Sequence, residues 1–105
     1  MDRSVSFYLL TPHRVQDDLL QWVDDPIRRE VFGQISSVTS TEFFSAGQNG
    51  ISPEFRMTMF APDYEGEQDL EYNGQIYSIY RTYYGRNDTL ELYVERRRGD
   101  GGGSK

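Results

Sequence analysis

The 105-residue sequence predicts a mainly β fold: a small antiparallel β-barrel or two-sheet sandwich of about six strands, with one short helix between strands two and three. Three observations carry this. Glu54 to Ala61 (EFRMTMFA) alternates, with Phe55, Met57 and Met59 on one face and Glu54, Arg56, Thr58 and Phe60 on the other. Asn73-Gly74 separates two β-rich runs and is the strongest hairpin signal in the chain, because both turn positions tolerate positive φ. The final run, Thr89 to Arg96, sets Leu90, Leu92 and Val94 inward against Glu91, Tyr93 and Glu95. Closing such short strands into a barrel or sandwich protects their edges.

Taken in order, Ser4 to Leu10 (SVSFYLL) reads as the first strand, rich in aromatic and branched residues. Thr11, Pro12 and the acidic pairs Asp17-Asp18 and Asp24-Asp25 break it. The loop they mark carries Leu19, Leu20 and Trp22, and is expected to fold back onto the body. Arg28 to Val38 reads as the second strand, with Val31, Gly33 and Ile35 on one face and Phe32 and Gln34 on the other. Ser40 stands where an N-cap belongs, with Glu42 in the first turn, where its charge suits the helix dipole. Phe43, Phe44 and Ala46 continue the short helix, Gly47 ends it, and Asn49-Gly50 makes a further break before a flexible loop. After the third strand comes an acidic loop, Asp63 to Gln68. Asp69 to Tyr72 and Gln75 to Tyr84 form the hairpin, and Gly85 to Asp88 (GRND) turns into the last strand. One barrel domain is expected over 1–98, followed by a flexible glycine-rich tail at 99–105.

Composition narrows the function. Leu, Ile, Val and Phe total 24 residues, a thin core for a chain of this length, partly offset by 14% aromatic residues. There is no cysteine, which excludes disulfides, thiolate nucleophiles and cysteine-ligated zinc and fits a cytoplasmic protein. The N-terminal MDRSVSFYLLT has no long apolar run, so neither a signal peptide nor a membrane span is expected. A net charge of −6 and a pI near 4.6 argue against broad binding to a phosphate backbone. The cations are ten Arg and a single Lys at the last position. Arginine is favoured where planar, bidentate pairing matters, as at protein interfaces, although a lineage bias would give the same composition.

Catalytic signals are few. His13, the only histidine, lies in a loop beside a proline with no nucleophile motif near it. Asp63, Glu65, Glu67 and Asp69 alternate around Gly66, but without the spacing of a calcium loop, so a solvated acidic turn is the better reading. No metal, cofactor or catalytic residue is expected. Six of the eight tyrosines fall between Glu71 and Arg97. By strict alternation Tyr77, Ile79, Arg81 and Tyr83 share one strand face and Ile76, Tyr80 and Tyr84 the other. One set therefore belongs to the core and the other to the surface. Such a split makes no continuous platform for stacking bases, whereas Tyr with Arg is what protein interfaces enrich.

The ordered combination of SSVTSTEFFSAGQNGISPEFRMTMF, an acidic loop and DLEYNGQIYSIYRTYYGRNDTLELYVER resembles the head-closure, or head-tail joining (adaptor, stopper), proteins of long-tailed bacteriophages and their prophages. The resemblance runs from about Asp2 to Arg98. It rests on the capped STEFF helix after the second strand and on the Y-N-G-x-x-Y-x-I hairpin followed by an L-x-L-x-V strand. It implies a non-enzymatic structural protein of the virion neck, assembled in the host cytoplasm as a homo-oligomeric ring. Its partners would be portal or adaptor connector proteins on one side and tail proteins on the other, with passing contact with genomic DNA in the channel and no membrane. By position, Ser40, Glu42, Phe43, Phe44, Gln48 and Asn49 would face the channel or dock a partner, unless Phe43 and Phe44 simply cap the barrel. Arg56, Tyr77, Arg81, Tyr83, Arg86, Tyr93 and Arg96 would make subunit or neck contacts. A tail terminator or tail completion ring protein, or a non-viral SH3-like or OB-like binding module, would use a similar small β fold.

Overall fold

The computed structural model describes residues 3–97; the expected glycine-rich tail at 99–105 lies outside the described residues. Eight strands and one helix follow in chain order: β1 (Arg3–Thr11), β2 (Arg14–Gln16), β3 (Trp22–Asp24), β4 (Ile27–Ser36), α1 (Ser40–Gly47), β5 (Pro53–Phe60), β6 (Asp69–Tyr72), β7 (Gln75–Tyr84) and β8 (Thr89–Arg96). A single 3₁₀ turn spans Ala61–Asp63. Six of the strands close into an antiparallel barrel in the order β1-β4-β5-β8-β7-β6, with β6 returning to β1. Of the two expected architectures, the barrel is the one formed. The helix follows the fourth strand rather than the second. The reason is that the loop after β1 itself contains a hairpin, with β2 and β3 forming a separate two-stranded sheet.

The barrel interior follows the alternation. Phe7 and Leu9 of β1, Val31 of β4, Met57 and Met59 of β5, Leu70 of β6 and Leu90, Leu92 and Val94 of β8 are buried. Phe55 closes one end of this core, meeting Tyr77 edge-on at 4.7 Å and Tyr72 at 5.8 Å between ring centroids. Gly33 is required for packing: a Cβ there would stand 2.3 Å from the Thr58 carbonyl oxygen, where β4 crosses β5. The β6–β7 turn is the expected one, with Asn73 and Gly74 at φ 54° and 78°.

β7 departs from strict alternation. Ile79 pairs with Val94 and Arg81 with Tyr93, so Tyr80 is an extra residue in a β-bulge. The bulge flips the remainder of the strand. Arg81 and Tyr83 lie opposite Tyr93 and Glu91 on the outer face, not on the face of Tyr77 and Ile79 as alternation predicts. Tyr77, before the bulge, is buried in the core rather than offered as a contact residue, while Arg81 and Tyr83, after it, are outside.

Candidate functional site

The site is built where α1 meets the outer wall of β7 and β8. Thr39, not Ser40, caps the helix: its hydroxyl accepts a hydrogen bond from the Glu42 amide at 3.1 Å. Ser40 occupies the exposed first turn. Ala46 faces inward and is buried. Glu42, one turn earlier on the same side, reaches the β7 bulge. Its carboxylate accepts from Arg81 Nη2 at 2.6 Å, from Arg81 Nε at 3.4 Å and from the Tyr80 hydroxyl at 2.7 Å. The Arg81 guanidinium in turn lies 4.1 Å from the centre of the Tyr93 ring. Tyr93 donates to a Glu91 carboxylate oxygen at 2.5 Å. Alongside, Arg56 donates to the Ser36 hydroxyl at 2.9 Å.

These contacts set the protonation states. The Arg81 hydrogen bond holds the Glu42 carboxyl below the usual carboxylate range, in spite of partial burial, and Tyr80 adds to the effect. Burial, then the bond to Glu42, pushes the Tyr80 phenol well up. Burial followed by the bond to Glu91 raises Tyr93. At neutral pH Glu42 is thus a carboxylate held by one guanidinium and one phenol. That arrangement positions the helix.

What the helix presents is aromatic. Phe43 and Phe44 sit edge to face at 6.1 Å, and both are exposed, Phe44 to 70%. Neither ring caps the barrel. The helix end is tied back rather than loose: Gln48 donates to Phe44 O, Asn49 to Ala46 O and Ile51 to Ala46 O. Gln48 and Asn49 are exposed beside it. Tyr83 and Arg86 are exposed near the β7–β8 turn, and Arg96 is exposed at the end of β8. Tyr93 lies on the outer face, but its ring is covered by Arg81 and is only 7% exposed.

Two features escape a reading of the sequence. The acidic loop is solvated at Asp63, Glu65 and Gln68 but not at Glu67. Glu67 is buried, accepting from Arg29 Nη2 at 2.6 Å and from the Glu65 amide at 2.9 Å, while Arg29 also donates to the Asp63 carbonyl at 2.7 Å. Burial alone would raise the Glu67 carboxyl; the Arg29 bond and backbone amides outweigh it and leave it lowered. Asp69 turns elsewhere, to Ser78 and Arg97. Among the described residues no group of three or more acidic or histidine side chains is placed to hold a metal ion. The second feature is the β2–β3 arm, whose tip leaves Leu19, Leu20 and Trp22 exposed instead of folding them onto the body. A further outward pair, Phe32 and Phe60, follows from the β4–β5 register, in which Gly33 faces Met59. The β-branched residues flanking Asp17 to Gln21 were the available signal for the arm.

No protein-family model matches this chain, and no curated protein matches its sequence. Among the described residues no helix is long and apolar enough to cross a membrane.

Proposed function

We propose that this chain is a structural subunit of the virion neck of a long-tailed bacteriophage or prophage. In this reading copies form a ring beneath the portal and its adaptor, close the DNA-filled head and join it to the tail. The supporting observation is where the apolar side chains go. Among the described residues nearly as many large ones stand exposed as are buried, on the β2–β3 arm, on helix α1 and on the outer face of barrel strands β4, β5 and β7. A lone globular domain of this size gains nothing from such a distribution, whereas a subunit covered by neighbours does. The small closed barrel with one short helix is the architecture that the resemblance implies.

Within this reading α1 is the docking element. Glu42, Arg81 and Tyr80 hold it in place before a partner arrives, so Phe43 and Phe44 are presented rigidly and little ordering entropy is lost on contact. Tyr83, Arg86, Arg96 and Arg56 supply the amphipathic and charged rim. The net charge of −6 suits a DNA conduit, because walls that attract phosphate would retard DNA. Deleting the gene and imaging the lysate by electron microscopy tests the proposal. Tailless heads that have lost DNA, beside complete free tails, are expected. Full heads beside abnormal tails would move the protein to the tail, and normal infectious virions would overturn the proposal.

A further inference from the structure

The arm is a built feature. Its tip is closed by a local network: the Asp17 carboxylate accepts from the Leu19 and Gln21 amides at 2.9 and 3.0 Å, and Gln16 Nε2 donates to the Leu20 carbonyl at 3.2 Å. The Leu20 amide donates to Asp17 O, and the Asp17 amide to Gln21 O, both at 2.9 Å. Leu20 is held at φ 61°, a left-handed conformation that glycine or asparagine adopts at lower cost. The result is two adjacent leucines, 75% and 73% exposed, with Trp22 beside them. This network spends backbone strain to display apolar side chains at a fixed position.

At the base of the same arm is a cleft of about 340 Å³ between the hairpin and the barrel wall. Leu10, Pro12, Pro26 and Ile76 give it apolar walls, and His13 and the pairs Arg14–Asp24 and Arg97–Asp69 complete the lining. Each guanidinium faces one carboxylate, Asp24 and Asp69, only at long range, 3.8 and 3.7 Å. Both guanidiniums are partly exposed, so an incoming acid can compete for them. The volume lies at the lower end of the roughly 300–1,000 Å³ range of binding pockets and suits one or two aliphatic side chains.

We propose that the Leu19-Leu20 tip of one copy seats in the arm-base cleft of a second copy, with Asp18 facing Arg14 and Arg97. The tip cannot reach its own cleft. It lies beyond a three-residue strand, roughly 10 Å along the stiff hairpin whose base forms the cleft wall. Aliphatic tip meets aliphatic wall, and Asp18 meets Arg14 and Arg97 in competition with the Asp24 and Asp69 carboxylates that line the same cleft. The same acids disfavour an anionic lipid surface or a nucleic acid as the occupant. Because tip and cleft are different surfaces of one chain, the contact is heterologous and propagates head to tail into a ring or a filament. As the joint of a neck ring it rests on the preceding reading; as a contact between copies it is tested on the purified chain.

The native chain has no cysteine, so introduced thiols report unambiguously. Leu19→Cys, Ile76→Cys and, as a control on exposed helix α1, Ser45→Cys are purified, checked for native circular dichroism, and oxidised as mixed pairs. The Leu19→Cys with Ile76→Cys mixture is expected to give about tenfold more crosslinked heterodimer than Leu19→Cys with Ser45→Cys. Adding Asp18→Lys to the tip variant should lower that yield several-fold. Equal yields in the two mixtures would overturn the joint. Absence of the crosslink together with tailless, emptied heads on gene deletion would remove this joint and leave the neck reading standing. The crosslink together with normal virions would do the reverse.

Discussion

Replacing Arg29 by methionine removes the cation that holds the buried Glu67 carboxylate and the Asp63 carbonyl. The Glu67 side chain is 4% exposed and that of Arg29 35%. Breaking a fully buried pair costs about 3–5 kcal/mol; with Arg29 partly exposed and the Glu65 amide still bonded, about 2–3 kcal/mol is expected at pH 7. For a domain of this size that lowers the melting temperature by roughly 10–20 °C. The cost depends on pH with a definite sign. In the wild type the folded Glu67 carboxyl lies below its unfolded value, so its stabilisation is present above the ordinary carboxylate range and lost as pH falls through the lowered value. Without Arg29, burial is opposed only by backbone amides, the carboxyl rises, and Glu67 takes up a proton more readily in the folded state. The deficit should therefore shrink by about 1 kcal/mol between pH 7 and pH 4. Urea titrations followed by far-UV circular dichroism at both pH values measure this; fluorescence is unsuitable because the one tryptophan, Trp22, is exposed on the arm. A cost below about 0.5 kcal/mol, equal at the two pH values, would mean that the acidic loop is an ordinary solvated turn.

Other substitutions separate folding from display. Thr39→Ala removes the helix cap and should cost about 1 kcal/mol, read as faster amide exchange across α1 with the barrel amides unchanged. Gly33→Ala forces a Cβ against the Thr58 carbonyl and the Phe7 ring, so a loss of about 3 kcal/mol or failure to fold is expected in the same urea titration. Tyr93→Ala should cost about 3 kcal/mol because its ring is covered by Arg81. Tyr83→Ala, more than half exposed, should stay within about 0.5 kcal/mol of wild type, and a larger loss would place its ring in the fold.

Period-two alternation made the barrel legible wherever a strand is straight and half-buried. Phe55, Met57 and Met59 on β5, and Leu90, Leu92 and Val94 on β8, face inward as their spacing requires. The rule failed at β7 because one extra residue at Tyr80 reverses every later side chain, and nothing in IYSIYRTYY marks where it falls. The cap shifted from Ser40 to Thr39 because Thr39, Ser40 and Thr41 are chemically equivalent candidates and only backbone geometry chooses among them. Glu67 was illegible for a different reason. An acid in a run of acids looks solvated, and its partner Arg29 lies 38 residues away on β4. The exposed Phe43 and Phe44 were visible as residues, but which way they point depends on Glu42 finding Arg81 across the barrel wall.

The arginine-only cation set acquires a physical explanation from two of these contacts. Arg81 places two nitrogens on Glu42 while its plane covers Tyr93. Arg28 donates Nε to Glu71 at 2.9 Å while lying 4.1 Å over the Tyr8 ring. Arg29, by contrast, spans a carboxylate and a carbonyl with one nitrogen, which a lysine ammonium could also do. Lysine keeps the charge but has neither the planar fork nor the stacking face, so it can satisfy the acid only by giving up the ring. Arg81→Lys should accordingly cost about 1 kcal/mol, the sum of a lost second hydrogen bond and an exposed cation–π contact. Because Glu42 is held below the usual carboxylate range by Arg81, that cost should be fully present at pH 7 and decline as pH falls through the lowered Glu42 value. Arg86→Lys, at an exposed turn, supplies the comparison and should be neutral within about 0.3 kcal/mol. If lysine at 28 and 81 proves as well tolerated as at 86, the absence of internal lysine reflects lineage and not the pinning of surface elements to the barrel.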